Sequence, residues 1–362
     1  MKQNKSHIVI IVLFIAMITL PQIVFWMTKD ETLEVSSTEN RKLNEKPELE
    51  FTTITEYPKK FDDYYNDHLP FRTELRNLCA NLNYNIFNTT IDNNVIIGKN
   101  GWLFYRGNNT IEQLQGTMEY TTKEKDYILT NLQMNFDRLK EKNIEMYVLI
   151  LPNKENVYRE YLPSSIQIKK EISRTEELIK YVQDNSDINI VYPKEELLKA
   201  KEKYQVYRKY DTHWNKIGSF IGTIALQKEI EPNFSYDINS IEIKIIEETD
   251  MRDLADLASL DEKISESIVK VDNFYPEIKF TLNKNDQYEE YVSNSENDKK
   301  ILFIGDSFRE DMKEYFSKLY KRVIYIHTDK YTESLIYEIK PDIVVIESVE
   351  RYSKQIGKKL FK

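Results

Sequence analysis

Cysteine is nearly missing from this sequence: Cys79 is the sole thiol among 362 residues. One thiol cannot close an internal disulfide, so the chain must draw its stability from its core. Histidine is scarce too, with only His7, His68, His213 and His327. Scattered this way beside one cysteine, they form no ligand cluster of recognisable spacing, which argues against a metal site. Basic charge is not in excess either. Lys and Arg number 51 against 60 Asp and Glu, which argues against nucleic acid or anionic membrane surfaces as partners. No internal repeat or low-complexity tract is present. What remains, 41% hydrophobic and 31% charged, reads as globular and long enough to bury a sizeable core.

The one long apolar run lies at the amino end. "HIVIIVLFIAMITLPQIVFWM" can cross a bilayer despite Pro21 and Gln22. Lys2 and Lys5 precede it and "KDETLE" follows, which places the amino end in the cytoplasm and the rest outside. No small-residue A-x-A pattern follows, so the run reads as an uncleaved anchor, not a removed signal peptide. No polar face interrupts Ile8 to Leu20, which disfavours a buried core helix. The expected division is a cytoplasmic tail at 1–7, an anchor at 8–27, an unpatterned stalk at 28–60 and an extracytoplasmic domain at 61–362. Without the first 27 residues, 49 basic residues face 60 acidic ones, a net −11.

Beyond the stalk the pattern turns regular. A helix is expected from about Arg72 to Phe87, with Leu75, Leu78, Cys79 and Leu82 on one face. "VIIGKNGWLFYRG" (95–107) reads as a β-hairpin, because Asn100-Gly101 supplies the positive φ angles of a tight turn. Strands and helices then alternate. Helical patterns at 123–141, 173–184 and 194–203 separate the strands "IEMYVLIL" (144–151) and "INIVY" (188–192). Residues 231–300 are charged and weakly patterned, as expected of an insertion. Alternation resumes with strands at 300–307, 322–327 and 342–347. Near-continuous apolar strands separated by helices imply a mostly parallel sheet covered on both faces.

In such a sheet, ligands sit beyond the carboxyl ends of the strands. "ILFIGDSF" places Ser307 where a strand runs out into a turn, with its hydroxyl exposed and its own N–H a candidate oxyanion donor. The ordinary alternative is that Asp306 and Ser307 only cap a helix. A serine nucleophile needs a base. His327 ends a strand at the same edge and competes for that role. His213, in "KYDTHWN" (209–215), has a carboxylate close by. Asp211 lies two residues before it, and on a helix the two would point about 200° apart. They can cooperate only in a loop, with the following helix capped by Thr212 or Asn215. The competing reading makes Asp211 or Thr212 a cap, His213 a surface residue and Trp214 core. Lys154 follows a strand end and is a candidate for the substrate site, or else a solvated lysine. Trp102 is expected to pack the hairpin, and Glu347 and Arg351 to pair across one helical turn.

Taken in order, "ENRKL" (39–43), "FDDYYNDHLPFRTEL" (61–75), "VIIGKNGWLFY" (95–105), "LPNKENVY" (151–158), "KYDTHWN" (209–215), "RDLADL" (252–257), "IGDSF" (304–308) and "KPDIVVIESVER" (340–351) resemble the SGNH-hydrolase-like domain of the alginate O-acetylation proteins of the AlgX and AlgJ type. The resemblance implies a circularly permuted, Rossmann-like α/β/α sandwich with an Asp–His–Ser triad carried by Asp211, His213 and Ser307. It implies transfer of acetyl groups to hydroxyls of an exported or cell-envelope polysaccharide. It also implies a multi-pass membrane acyltransferase as partner, and no cofactor. The donor and the glycan are not readable. An acetyl-esterase with the same triad and a non-catalytic glycan-binding scaffold are the alternatives. The expectation is geometric: Asp211, His213 and Ser307 must meet at one edge of the sheet, and His213 and Ser307 on opposite edges would favour the scaffold.

Overall fold

The computed structural model describes residues 2–27, 35–36, 41–51 and 54–361. The chain divides into two compact units, one of Met1–Asp92 with Ala255–Lys263 and one of Asn93–Leu254 with Ile264–Lys362.

The first unit holds the apolar helix Lys2–Met27. Its stretch His7–Met27 has a mean hydropathy of 2.8 and is not buried, so it is long and apolar enough to cross a membrane. Of the expected stalk, residues 28–34, 37–40 and 52–53 lie outside the described residues, as do the first two of "ENRKL". The stalk's end is helical: Tyr57–Asp67 forms a helix with Pro58 in its first turn, where a missing N–H costs nothing. The helix expected near 72–87 is present as Arg72–Leu82 continuing into a wider π turn, Asn83–Phe87. Its apolar side, with Leu75, Leu78, Cys79 and Leu82, is exposed. Arg76 donates to Ser259 Oγ (2.6 Å) and the Asp261 N–H donates to Asn81 Oδ1 (3.1 Å), tying this helix to the 255–263 segment.

The second unit is built on a seven-stranded sheet. Its strands are β1 (Glu145–Leu151), β2 (Asn189–Val191), β3 (Phe280–Lys284), β4 (Tyr288–Ser293), β5 (Lys300–Gly305), β6 (Arg322–His327) and β7 (Ile343–Val349). They lie in the order β2-β1-β7-β5-β6-β4-β3. The first five in that order pair in parallel, and β4 and β3 add an antiparallel edge.

Side-chain alternation explains why the central strands are apolar throughout. Ile301 and Phe303 of β5 face a layer containing Phe220 and Ile224 of the helix Lys216–Ile230. Leu302 and Ile304 face another layer, with Ile128 and Leu132 of Thr122–Lys140, Leu178 of Arg174–Asn185 and Ile336 of Ser334–Ile339. The second layer's two long helices start at capping boxes, Thr121 with Glu124 and Ser173 with Glu176, which satisfy N–H groups the helix itself cannot.

One sequence expectation holds and one needs adjustment. The hairpin forms, pairing Val95–Ile97 with Leu103–Tyr105, and Asn100 (φ 55°) and Gly101 (φ 73°) take the positive angles. The 231–300 segment is more than an insertion. It contains a hairpin of Ile243–Thr249 with Ser267–Val271, but its later part supplies β3 and β4 of the main sheet. These edge strands are only half-buried or exposed along most of their length, so they carry no continuous apolar run to read.

The carboxyl ends of β1, β5 and β7 converge, and Gly305 permits it. A Cβ at Gly305 would lie 2.1 Å from Glu347 Oε2 and 2.9 Å from Glu347 Cβ on the neighbouring β7. Gly305→Ala is therefore expected to cost about 1–3 kcal/mol through overpacking, read as a lowered denaturant midpoint. An unchanged midpoint would show that Glu347 swings away freely.

Candidate active site

Residues 207–214 are held out of a helix from several sides. Tyr207 and Trp214 pair as an isolated antiparallel bridge, and the Arg208 N–H donates to His213 O (3.2 Å). The following helix is capped by Asn215, whose Oδ1 accepts the N–H groups of Ile217 and Gly218 (both 3.0 Å). Asn215, not Thr212, is thus the cap. Trp214 is fully buried and donates Nε1–H to Phe308 O (2.9 Å).

Inside that loop the acid and the histidine meet. Asp211 is 1% exposed, and its Oδ1 accepts from both the backbone N–H (2.8 Å) and Nδ1 (2.7 Å) of His213. Its Oδ2 accepts the Asp253 N–H (2.8 Å). Burial alone would raise this carboxyl, but the hydrogen bond and charge of His213, with the two N–H donors, outweigh it and hold Asp211 below the usual carboxylate range. Facing a carboxylate, Nδ1 carries the proton, which leaves Nε2 as an acceptor. Nε2 lies 2.8 Å from Ser307 Oγ. Asp211, His213 and Ser307 therefore meet at one sheet edge, the arrangement that the catalytic reading needs.

The serine side is equally fixed. Asp306 accepts the Phe308 N–H (2.9 Å) through Oδ1 and the Val349 N–H (2.8 Å) through Oδ2, joining the turn after β5 to the end of β7. The Phe308 ring lies 4.5 Å from the His213 ring. His327 ends β6 opposite Gly305, but its Nδ1 accepts the Asp329 N–H (3.3 Å) and the side chain faces outward. His68 contacts the backbone O of Tyr64 through Nδ1 (2.9 Å).

Lys154 is buried, not solvated. It is 1% exposed, and its ammonium donates to the carbonyl oxygens of Asp211 (2.6 Å), Arg208 (3.2 Å) and Lys209 (3.3 Å). Burial pushes it down to about 8. Its chemistry is to hold the loop that carries Asp211. Trp102 is buried against Tyr158 and Tyr161 as expected. Glu347 and Arg351 do not pair, because Glu347 sits on an extended strand and not on a helical turn. Glu347 Oε2 accepts the Asp306 N–H (2.8 Å), and Arg351 reaches Asn153 Oδ1 (3.4 Å) and packs on the Phe308 ring (5.2 Å).

Sequence reasoning missed two groups. Arg208, buried just before the motif, pairs with Asp250 (2.7 Å) and with Asp311 (2.6 Å) on the helical turn that Ser307 opens. Asp253, inside "RDLADL", accepts from the Thr212 N–H (2.7 Å) and hydroxyl (2.6 Å). Ligand atoms of Asp211, His213 and Asp253 all fall within 4.8 Å of one another, a cluster that sequence spacing concealed. Their donors and acceptors are engaged with one another, with Thr212 and with Ser307.

The pattern of the family described as "SGNH hydrolase-like domain, acetyltransferase AlgX" matches residues 95–323. This chain belongs to that family. Among curated proteins, the probable alginate O-acetylase AlgJ of Pseudomonas syringae pv. tomato is 25% identical over 178 residues, covering 47% of this chain. The match spans only 41% of that relative's length. Bacillus cereus PatB1 shares the fold at a TM-score of 0.54 and 15% identity, over 74% of this chain and 98% of that one. A DHHW family protein from Eubacterium siraeum does so at 0.51 and 12%, over 74% and 96%. The SGNH-hydrolase-like α/β fold of the family is the fold seen here.

Glu347 gives a pH test of this edge. Burial first, then the Asp306 charge, raises its carboxyl well above the ordinary value, so the folded state keeps a proton that the unfolded chain releases above about pH 4.3. A raised folded value means stability falls as pH rises above that point. Glu347→Gln should therefore raise the denaturant midpoint at pH 8, with the gain shrinking toward pH 4. A gain equal at both pH values would contradict this.

Proposed function

We propose that this protein is an O-acetyltransferase acting on hydroxyls of a cell-envelope or exported polysaccharide, held at the membrane by its amino-terminal helix with the rest of the chain outside. The observation that carries the reading is the continuous relay from Asp211 through His213 to Ser307, with contacts of 2.7 and 2.8 Å. Membership in an acetyltransferase family and partial likeness to a probable alginate O-acetylase support acetyl as the transferred group.

In the proposed reaction, Ser307 Oγ attacks the acetyl carbonyl of an acyl-ester or thioester donor while His213 Nε2 takes the hydroxyl proton. Asp211 holds the imidazole and stabilises its charged form. The Ser307 N–H is the candidate donor to the oxyanion. The donor's alcohol or thiol leaves with the proton from His213, which leaves an acetyl ester on Ser307. A sugar hydroxyl then attacks that ester, gives its proton to His213, and departs acetylated as Ser307 recovers the proton. No cofactor enters any step. A multi-pass membrane acyltransferase is the proposed source of the acetyl group. Hydrolysis by the same triad is the second reading, favoured by the same relay, since water can replace the sugar hydroxyl.

Turnover of a chromophoric acetyl ester by the full-length protein tests the triad. Ser307→Ala should lose on the order of 10³-fold or more in kcat/KM with circular dichroism unchanged, and full retained turnover would overturn the mechanism. Adding oligosaccharide acceptors then separates the two readings: acetylated sugar, detected by mass, marks a transferase, and free acetate alone marks an esterase.

A further inference from the structure

We propose that Asp253 is a second carboxylate of the relay, a positioning residue that acts on His213 through Thr212 and on Asp211 through its own amide. The proposal deepens the serine-relay reading of the same site and rests on it for the catalytic readouts below.

The geometry leaves little freedom. Asp253 receives both the backbone N–H (2.7 Å) and the hydroxyl (2.6 Å) of Thr212, the residue between Asp211 and His213. With its hydroxyl hydrogen spent on Asp253, Thr212 Oγ1 turns a lone pair toward His213 Nδ1, 3.2 Å away. Nδ1–H is therefore shared between Asp211 Oδ1 at 2.7 Å and Thr212 Oγ1 at 3.2 Å. The Asp253 N–H also fixes Asp211 Oδ2 (2.8 Å), and the neighbouring Leu254 N–H donates to Tyr210 O (3.1 Å). The "RDLADL" segment thus grips the loop on both sides of Asp211.

Its charge matters as well as its bonds. Asp253 Oδ2 lies 3.7 Å from His213 Nδ1, close enough to stabilise an imidazolium. Burial, then the Asp211 charge, pushes Asp253 up to about 6, while the charge of His213 pulls it down. Water relieves part of that push, because the side chain is 42% exposed. Asp211 and His213 face Asp253 from the 208–213 loop, and buried Lys154 acts on it from the segment after β1. The loop itself carries Arg208 and Lys209; Asp250 and Asp311 pair with Arg208, and Glu266 accepts the Lys209 N–H. The Asp253 carboxylate is thus placed as a second compensating anion beside the imidazolium when it forms.

The full-length protein in detergent, with the chromophoric acetyl ester, reads this out. Asp253→Asn should lower kcat about tenfold with KM unchanged, and should move the acid limb of kcat/KM down by about one pH unit, since a neutral amide no longer favours the imidazolium. Asp253→Glu, which keeps the charge, should return the acid limb toward that of the parent protein. Thr212→Val cuts the bridge but leaves the charge, so kcat should drop several-fold with the limb in place. It also serves as the second variant if Asp253→Asn fails to fold. An Asp253→Asn protein with parental kcat and acid limb, alongside an inactive Ser307→Ala, would overturn the proposal and leave the triad standing. If Ser307→Ala keeps full turnover, the triad reading falls instead, and the proposal is judged by NMR titration of His213, assigned with His213→Gln. There, a lower His213 midpoint in Asp253→Asn supports the link and an unchanged one refutes it.

Discussion

The i,i+2 spacing of Asp211 and His213 is productive only off a helix, and the whole site depends on what holds that loop open. A short polar loop beside a helix start would ordinarily be drawn into the helix or the solvent. Here it is fixed by buried charge. Arg208 at its start is paired with Asp250 and Asp311, and the Lys154 ammonium gathers three of its carbonyl oxygens. Burying cations is unfavourable unless they are fully paired, so each bond they make is demanding about geometry. The Arg208–Asp311 pair also spans from the histidine loop to the turn carrying Ser307, which relates two segments far apart in sequence.

The sheet supplies the other half of the constraint. Ser307 lies just past the end of β5, whose register with β7 runs from Ile301 opposite Ile343 to Ile304 opposite Ile346. Gly305 and Glu347 then meet in a space too small for a Cβ, and Asp306 is bonded to the end of β7. Because both core layers interdigitate through alternating residues of the same strands, a register slip would turn every buried side chain to the wrong face. The position of Ser307 is therefore set by the core as a whole. Its 2.8 Å approach to His213 follows from two segments that are each anchored in the fold and tied to each other by Arg208–Asp311 and Trp214–Phe308.

Much of this was legible in advance, for definable reasons. The hairpin announced itself through Asn100-Gly101, the central strands through unbroken apolar runs, and Ser307 through its place after such a run. The antiparallel edge was not legible. Strands of half-buried residues such as Tyr288–Ser293 carry no period-two signal strong enough to stand out among charges. The bracing role of Lys154 was not legible because a lysine after a strand end looks solvent-facing, whereas its ammonium is satisfied by carbonyl oxygens more than 50 residues away. Asp253 was hidden in the same way, since its role lies in a contact with a loop about 40 residues earlier.

The sequence by itself determined the local chemistry: an apolar amino-terminal helix, an alternating α/β pattern, a serine at a strand end, and an acid–histidine pair that must lie outside a helix. These follow from periodicity, turn residues and side-chain type, which act over a few residues. Tertiary structure alone decided which histidine lies beside Ser307, that Lys154 and Arg208 brace the loop, and that Asp253 reaches Thr212 and Asp211. Those outcomes depend on distances across the fold, and only packing between distant segments sets them.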